Sequence, residues 1–287
     1  MSKEEVCCAN CGIAEIDDIK LEDCDGCDLV KYCGGKCKKE HREQHNEECK
    51  KRAQELHDKK LFTQPGGSQR GECPLCFLPM PLDTQKYSFF PCCSAWICKG
   101  CVYADIKSNG GRKCPFCRKM ATNREENIKR VMERIKANDP DALSQMGTKC
   151  YHDGDYDNAF EYSTKAAKLG DADAHYHLSI MYANGIGVVK DEEKYVYHLE
   201  QAAIGGHPKA RHYLACVEED NGNMERAVKH LIIAAKLGDE DSMKELWKHY
   251  SGGNITKEEL EATLRTHKAA IDAMKSPQRD AARTECV

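Results

Sequence analysis

Cysteine placement is the feature that most constrains this chain. Of its 19 cysteines in 287 residues, all but Cys150, Cys216 and Cys286 lie before residue 118. Stretches of roughly 40 residues this rich in cysteine cannot bury enough apolar surface to fold unaided, so they depend on disulfides or bound metal. The two halves of the chain are therefore predicted to be stabilised by different means.

The state of the thiols decides between disulfides and metal. The first residues, MSKEEVCCAN, contain no apolar segment, so we expect no secretory signal. No run of about 18 apolar residues occurs, so we expect no membrane span. An intracellular location, with cytoplasm and nucleus not distinguished, keeps thiols reduced and favours metal ligation. A net charge of -4 with pI near 6.3 argues against a nucleic-acid partner.

Residues 1–50 contain four pairs of potential zinc ligands. The pairs are Cys8 and Cys11, Cys24 and Cys27, Cys33 and Cys37, and His45 and Cys49. Zinc takes four such ligands in a tetrahedron, so eight ligands suffice for two closed sites. The last part of this segment is polar and compatible with a helix, on which residues four apart share a face. His41 shares that face and competes with His45, and Cys7 is treated as spare beside Cys8.

These positions resemble the MYND zinc finger, including Tyr32 before Cys33. The resemblance implies interleaved sites. Cys8, Cys11, Cys33 and Cys37 would hold one zinc, and Cys24, Cys27, His45 and Cys49 the other. Such fingers typically recognise short proline-containing peptides. The family often carries Trp three residues before the ligand His, where this chain has Arg42; this departure bears on peptide contact and not on the metal.

A second cysteine set follows a linker predicted over 51–71, in which Pro and Gly interrupt regular structure. Its eight members are Cys73, Cys76, Cys92, Cys93, Cys98, Cys101, Cys114 and Cys117. The segments CPLC, ICKGC and CPFCR resemble a RING-type finger. That cross-brace implies one zinc on Cys73, Cys76, Cys98 and Cys101, and a second on Cys114, Cys117 and the adjacent Cys92 and Cys93.

The adjacent cysteines depart from the usual RING pattern, which has a Cys-x-His step. No histidine occurs between residues 73 and 117. Three interpretations stay open: both Cys92 and Cys93 bind, only one binds and the site is partly open, or the two form a redox-active thiol pair.

The second half of the chain contains a repeat of 32 to 36 residues, read from the small residues Ala142, Ala174, Ala210 and Ser242. A second register has paired alanines at 166–167, 202–203 and 234–235, each followed by Gly, and a weaker pair at 269–270. Paired alanines permit close helix packing, Gly suits the left-handed position after a helix, and Pro suits a first helical turn. We therefore predict helix-turn-helix units that stack into a solenoid.

The second unit, with a long loop over 184–195, resembles the Sel-one-like repeat, a relative of the tetratricopeptide repeat. The fourth unit matches poorly, as a terminal capping unit would. A helix over 122–138, with a Thr122-x2-Glu125 capping box and an apolar stripe, is predicted to cap the other end. Tyr176, His177, Tyr182 and Tyr213 are interpreted as packing or surface residues.

The predicted fold is mainly α, with two small zinc modules before an α/α solenoid. The predicted domains are 1–50 (MYND-type finger), 51–71 (linker), 72–120 (RING-like finger), 121–138 (capping helix), 139–275 (repeats) and 276–287 (flexible tail). We call residues 1–50 the first cysteine module and residues 72–120 the second. Two closed sites in each module predict about four zinc ions per chain.

Two hypotheses for function follow. No nucleotide-binding loop, nucleophile elbow or metalloprotease motif is present, and closed zinc sites do not favour hydrolysis. The first hypothesis is an adaptor that binds proteins or peptides through the MYND finger and the repeats. The second is a RING-type ubiquitin ligase that contacts a ubiquitin-conjugating enzyme through Leu75, Pro115 and Arg118. Alternatively the RING-like fold is kept without the activity, and Arg118 is a solvated start to the next helix.

Overall fold

The computed structural model describes residues 7–13, 15, 20–111, 113–120 and 123–284. Within these residues there are twelve α-helices and four short strands, which confirms the mainly α prediction. The chain divides into two compact units, 1–63 and 64–287, which are described separately. No helix of the described part of the chain combines the length and the apolar character needed to cross a bilayer.

The first unit is a short hairpin followed by one long helix. Strands β1 (Glu22–Asp23) and β2 (Lys31–Tyr32) pair in antiparallel fashion, and helix α1 spans Gly35–Leu61. Because residues 51–61 contain no Gly or Pro, α1 continues through the first half of the predicted linker. The helix thus runs past the predicted end of the finger at residue 50, and the interruption comes at Pro65-Gly66-Gly67.

The second unit begins with the second cysteine module. Strands β3 (Tyr87–Phe90) and β4 (Ala95–Cys98) form an antiparallel hairpin, and helix α2 (Lys99–Asn109) follows directly. The module has a small core of its own, formed by Cys73, Met80, Tyr87, Ile97 and Cys98.

Ten helices complete the second unit. They are α3 (Arg124–Lys136), α4 (Pro140–Asp153), α5 (Tyr156–Lys168), α6 (Ala172–Asn184), α7 (Glu192–Ile204), α8 (Pro208–Asp220), α9 (Met224–Lys236), α10 (Glu240–Ser251), α11 (Lys257–Ala273) and α12 (Pro277–Thr284). Helices α4 to α11 form four successive pairs that pack in sequence order. The loop predicted over 184–195 is shorter, because α6 continues to Asn184 and α7 begins at Glu192.

The small residues of the repeat lie at the helix contacts, as predicted. The four first-register residues are each 0% exposed, and so are Ala203 and Ala235. The glycines after the alanine pairs take left-handed backbone conformations, with φ of 86°, 87° and 99° at Gly170, Gly206 and Gly238. Equivalent side chains cap the first helix of each repeat: Asp139, Asp171, His207 and Asp239.

Both ends of the solenoid differ in detail from the prediction. Helix α3 is capped by Asn123, whose side chain accepts the Glu126 N–H, while Thr122 of the predicted capping box lies outside the described residues. The flexible tail predicted over 276–287 is wrong for residues 277–284, which form α12. This helix packs against α2 of the second cysteine module, a partner far away in the sequence.

Candidate metal centres

Four groups of metal-ligand side chains converge among the described residues. In each group the candidate ligand atoms lie within 4.8 Å of one another. The groups are Cys8, Cys11, Cys33 and Cys37; Cys24, Cys27, His45 and Cys49; Cys73, Cys76, Cys98 and Cys101; and Cys92, Cys93, Cys114 and Cys117. These are the four sets implied by the two resemblances.

The spacing of the sulfurs fits tetrahedral zinc. Four thiolates at the usual zinc–sulfur distance lie about 3.8 Å from one another. The Sγ–Sγ distances are 3.5 Å between Cys11 and Cys33 and 3.6 Å between Cys24 and Cys49. In the second module the Cys76 and Cys98 sulfurs are 3.8 Å apart. A disulfide requires about 2.05 Å, so these sulfurs are placed for a shared ion and not for a covalent bond.

Three Cys-x2-Cys turns share one backbone pattern. In the turn after Cys73, the Phe77 N–H donates to the Cys73 carbonyl (2.8 Å) and the Cys73 N–H donates to the Leu78 carbonyl (3.0 Å). The turns after Cys8 and Cys114 repeat both hydrogen bonds. This pattern aims the two sulfurs of each turn to the same side.

The residue after each of these turns has a left-handed conformation. Its φ is 72° at Gly12, 56° at Phe77 and 59° at Arg118. Glycine adopts such angles freely, but Phe and Arg do so at a cost that surrounding contacts must offset. Arg118 is therefore the end of a ligand turn, and the interpretation of it as a solvated start to the next helix is wrong, because α3 begins at Arg124.

His45, and not His41, belongs to the second group. The His45 Nε2 is 3.1 Å from the Cys27 sulfur, and the side chain is buried. The His41 Nδ1 instead shares a hydrogen bond of 3.0 Å with the Tyr32 hydroxyl. The two imidazoles are stacked, with centroids 5.7 Å apart. His41 thus orients its neighbour, a role that its position on the helix face alone did not reveal. Cys7 is exposed and lies outside the four groups.

Cys92 and Cys93 both reach the fourth group because they occupy the tip of the β3–β4 hairpin. Side chains of adjacent residues point to opposite faces within a strand, but a turn removes this restriction. The Cys92 sulfur is 3.3 Å from that of Cys117, and the Cys93 sulfur is 3.8 Å from that of Cys114. The Cys92 and Cys93 sulfurs are 4.0 Å apart, and each is nearer to a sulfur of the Cys114–Cys117 turn than to the other. This geometry favours a shared ion over a redox-active pair.

A buried ion-pair network joins the second module to the repeats. The Arg70 guanidinium donates to Asp141 (2.7 Å), forms an ion pair with Asp173 and lies 4.0 Å from the centre of the Trp96 ring. The Trp96 N–H also donates to Asp141 (2.6 Å). Asp141 and Asp173 occupy equivalent positions of adjacent repeats, so Arg70 spans both. The sequence indicated only a polar linker here.

A cavity of about 2060 Å³ lies between the second module and the repeats. Aromatic and imidazole side chains line part of it, namely Phe89, Trp96, Tyr176, His177 and His207. Tyr176 stacks on His207 with centroids 4.2 Å apart. Small-molecule pockets usually measure about 300–1,000 Å³, so this cavity is larger than a typical small-molecule pocket.

The three candidate enzyme-contact residues lie on the second module. Leu75 packs partly buried against the module core, and Pro115 is also partly buried. The Arg118 guanidinium donates to Asp105 of α2 at 2.6 Å. Its side chain is nevertheless 54% exposed, so part of it is accessible to a partner.

Comparison with known families identifies two parts of the chain. Residues 8–49 match the MYND finger, and residues 140–171, 172–207 and 208–239 match the Sel1 repeat. The chain therefore carries a MYND finger, which is a zinc-binding module, and three Sel1 repeats. The fourth helical pair is outside these matches.

Individual relatives are distant. The chain is 24% identical over 200 residues to the mouse (Mus musculus) DAP3-binding cell death enhancer 1, covering 56% of this chain and 39% of that protein. A Sel1 repeat protein of Oxalobacter formigenes is 23% identical with a TM-score of 0.47, over 63% of this chain and 74% of that one. A protective antigen of uropathogenic Escherichia coli with an SLR fold is 19% identical with a TM-score of 0.42, over 66% and 39% of the two chains.

Proposed function

We propose that this chain is a zinc-stabilised adaptor that holds protein or peptide partners through its MYND finger and its repeats. The observation that carries this proposal is the set of four ligand groups that protein side chains alone can close, together with the large cavity between the second module and the repeats. Four protein ligands on a zinc ion leave no open position, and such sites stabilise folds instead of activating water. We assign one zinc to each of the four groups.

The metal part of the proposal is tested by counting zinc. Elemental analysis of the pure full-length chain is expected to give four zinc ions. Two or fewer would overturn the assignment. A value near three, with Cys92 and Cys93 open to alkylation, would mean that the fourth group does not bind.

The binding part is tested with partners of two kinds. Members of the MYND family bind short proline-containing peptides, so a panel of such peptides is the probe for the first module. The mouse relative is named for binding DAP3, so a DAP3-like protein is the first macromolecular partner to test. Fluorescence polarisation with the full-length chain is expected to show binding that Cys27→Ser abolishes for the peptides. Binding unchanged in that variant would place the peptide site elsewhere.

A RING-type ubiquitin ligase is the second candidate function. The matching turns around Cys73 and Cys114 support it, because both are followed by exposed apolar groups: Phe77 is 72% exposed and Phe116 is 46% exposed. These exposed rings are close in sequence to Leu75 and Pro115, and they would give a conjugating enzyme apolar groups to contact. Arg118 would act there through the part of its guanidinium not bound to Asp105.

Auto-ubiquitination across a panel of conjugating enzymes separates the two candidates. The ligase predicts ubiquitin chains that Leu75→Ala and Arg118→Ala both reduce while the zinc count stays the same. Asp105→Asn is a matched variant, because it releases Arg118 without removing the guanidinium. If protein shown to carry its zinc forms no ubiquitin chains with any conjugating enzyme, the adaptor function remains as the proposal.

A further inference from the structure

Arg279 of the C-terminal helix α12 reaches directly into the first ligand turn of the second module. Its guanidinium donates to the sulfur of Cys76 at 3.5 Å, to the Leu78 carbonyl at 3.3 Å and to the Pro79 carbonyl at 2.7 Å. A further hydrogen bond of 2.7 Å to the Met274 carbonyl ties the same side chain to the chain segment just before α12. The contact joins residues about 200 positions apart.

A glycine in α2 makes this approach sterically feasible. A Cβ atom at Gly100 would lie 2.8 Å from the Arg279 backbone nitrogen and 2.9 Å from its Cα. Real Cβ atoms do not approach backbone atoms so closely. Ala282, one turn further along α12, is also only 4% exposed. The helix is therefore fitted to this surface along its length and not held by a single side chain.

The chemistry of the contact links it to the metal. Four thiolates around a divalent ion carry a net charge of -2, and a guanidinium beside one of them offsets part of that charge. Hydrogen bonds to a metal ligand from outside the ligand set orient it, and their loss typically lowers metal affinity 10- to 100-fold. Arg279 is placed to provide such a bond to Cys76.

We propose that Arg279 positions Cys76 for metal binding, and that metal in the group of Cys73, Cys76, Cys98 and Cys101 holds the C-terminal helix in place. Loss of this metal disorders the turn around Cys76 and removes the three acceptors of Arg279, so α12 is released from α2. The ends of the second unit are then no longer joined. This inference rests on the proposed assignment of zinc to that group.

The fourth group supplies a matched control. Arg134 of α3 donates to the Pro91 carbonyl at 3.2 Å and to the Cys92 carbonyl at 3.3 Å. Like Arg279 it joins a helix of the repeat part to a ligand turn, but these two hydrogen bonds to the second module go to carbonyls and not to a sulfur. Arg134→Ala therefore removes a comparable helix contact beside a different metal group.

The experiment combines chelator titration of the full-length chain with two mapping methods. Alkylation with N-ethylmaleimide identifies the cysteines that have lost metal, and hydrogen exchange with mass spectrometry follows residues 277–284. In Arg279→Ala we expect the Cys73 group to become alkylated at 10- to 100-fold lower chelator concentration, with the other groups unchanged. Arg279→Lys keeps the charge but not the planar fork of donors, so its chelator sensitivity is expected to lie between those of wild type and Arg279→Ala.

A spectroscopic measurement separates positioning from simple docking. In the cobalt-substituted protein, Arg279→Ala is expected to shift the thiolate-to-cobalt charge-transfer band, and Arg134→Ala is not expected to shift that of the Cys73 group. Equal chelator sensitivity in wild type and Arg279→Ala, with four zinc ions in both, would overturn the inference while leaving the zinc assignment intact. Alkylation of the Cys73 group in untreated wild type would overturn the assignment itself.

The wild-type chain provides a test that does not depend on any variant folding. As chelator removes metal from the Cys73 group, exchange in residues 277–284 is expected to rise over the same concentration range. Exchange there that stays slow after these four cysteines are alkylated would refute the coupling.

Discussion

The carboxylate of Asp171 is predicted to destabilise the chain at neutral pH, although it caps helix α6. It accepts the Ala174 N–H at 2.7 Å, and the residue is partly buried. Burial, together with the nearby carboxylate of Asp173, raises its pKa from 3.8 to about 6. Each pKa unit corresponds to about 1.4 kcal/mol, so the ionised form costs up to about 3 kcal/mol.

The sign of the pH dependence follows from the raised pKa. The folded state binds the Asp171 proton more tightly than the unfolded state, so the contribution to stability is favourable below about pH 4 and is lost as pH rises through about 6. Asp171→Asn keeps an acceptor for the Ala174 N–H and removes the charge. We expect it to raise the free energy of unfolding by about 1–3 kcal/mol at pH 7.5, and by about a third of that gain at pH 4.5.

Urea unfolding followed by circular dichroism measures this difference between wild type and variant. Any loss of zinc at low pH affects both proteins, so it largely cancels in the comparison. Asp139→Asn is the matched control. Asp139 caps the preceding repeat in the same way, but it faces Arg134 at 3.6 Å and should not gain from neutralisation. The reasoning is refuted if Asp171→Asn gives no gain at pH 7.5, or the same gain at both pH values.

Three further predictions concern packing and metal. Ala203→Leu and Ala235→Leu should each lower the free energy of unfolding by about 1–3 kcal/mol, because these alanines are fully buried between helices. Ala262→Leu, on the exposed face of α11, should not lower it. Equal thermal stability of the three variants would mean that the repeat register is wrong. Gly26→Ala should reduce the zinc count from elemental analysis by one, since its Cβ would lie 2.9 Å from the Cys49 sulfur. A Cβ at Gly34 would have no neighbouring atom within 4 Å, so Gly34→Ala should keep the full count. A strong chelator should unfold the two cysteine modules and leave the helical circular dichroism signal of the repeats unchanged. If that helical signal disappears in parallel with the zinc, the two halves of the chain are not stabilised separately.

Local sequence spacing predicted the parts of the fold that depend on short-range rules. The ligand pairs of the first module lie together in the structure, and the alanines and glycines of the repeats fall at helix contacts and helix ends, because each follows from one turn or one helix contact. The sequence already favoured His45 over His41 as a ligand, but it did not give the hydrogen bond that His41 shares with Tyr32. The placement of Cys92 and Cys93 required the hairpin, which the sequence pattern did not identify.

Long-range contacts could not be read from the sequence. Residues 66–70 look like a linker because Gly and Ser precede Arg70, and the carboxylates that bind this arginine are more than 70 residues away. Helix α12 has only eight residues, too few for a reliable amphipathic pattern, and its partner surface is created by one glycine of α2. Composition therefore indicated a flexible tail where tertiary packing provides a helix.

Three arginines determine which surface of the second module is available to a partner. Arg134 and Arg279 bind ligand turns of the module through several hydrogen bonds each, and Arg70, just before the module, packs on Trp96 while it binds the carboxylates of two repeats. A module held at three places moves with the repeats instead of as a tethered finger. Because α12 covers the face of α2 at Gly100, that face is closed to a partner, whereas the turns that carry Phe77 and Phe116 are exposed and the cavity adjoins the repeats. An adaptor can use both surfaces at once, whereas a ligase needs the exposed turns for the conjugating enzyme and leaves the cavity for its substrate.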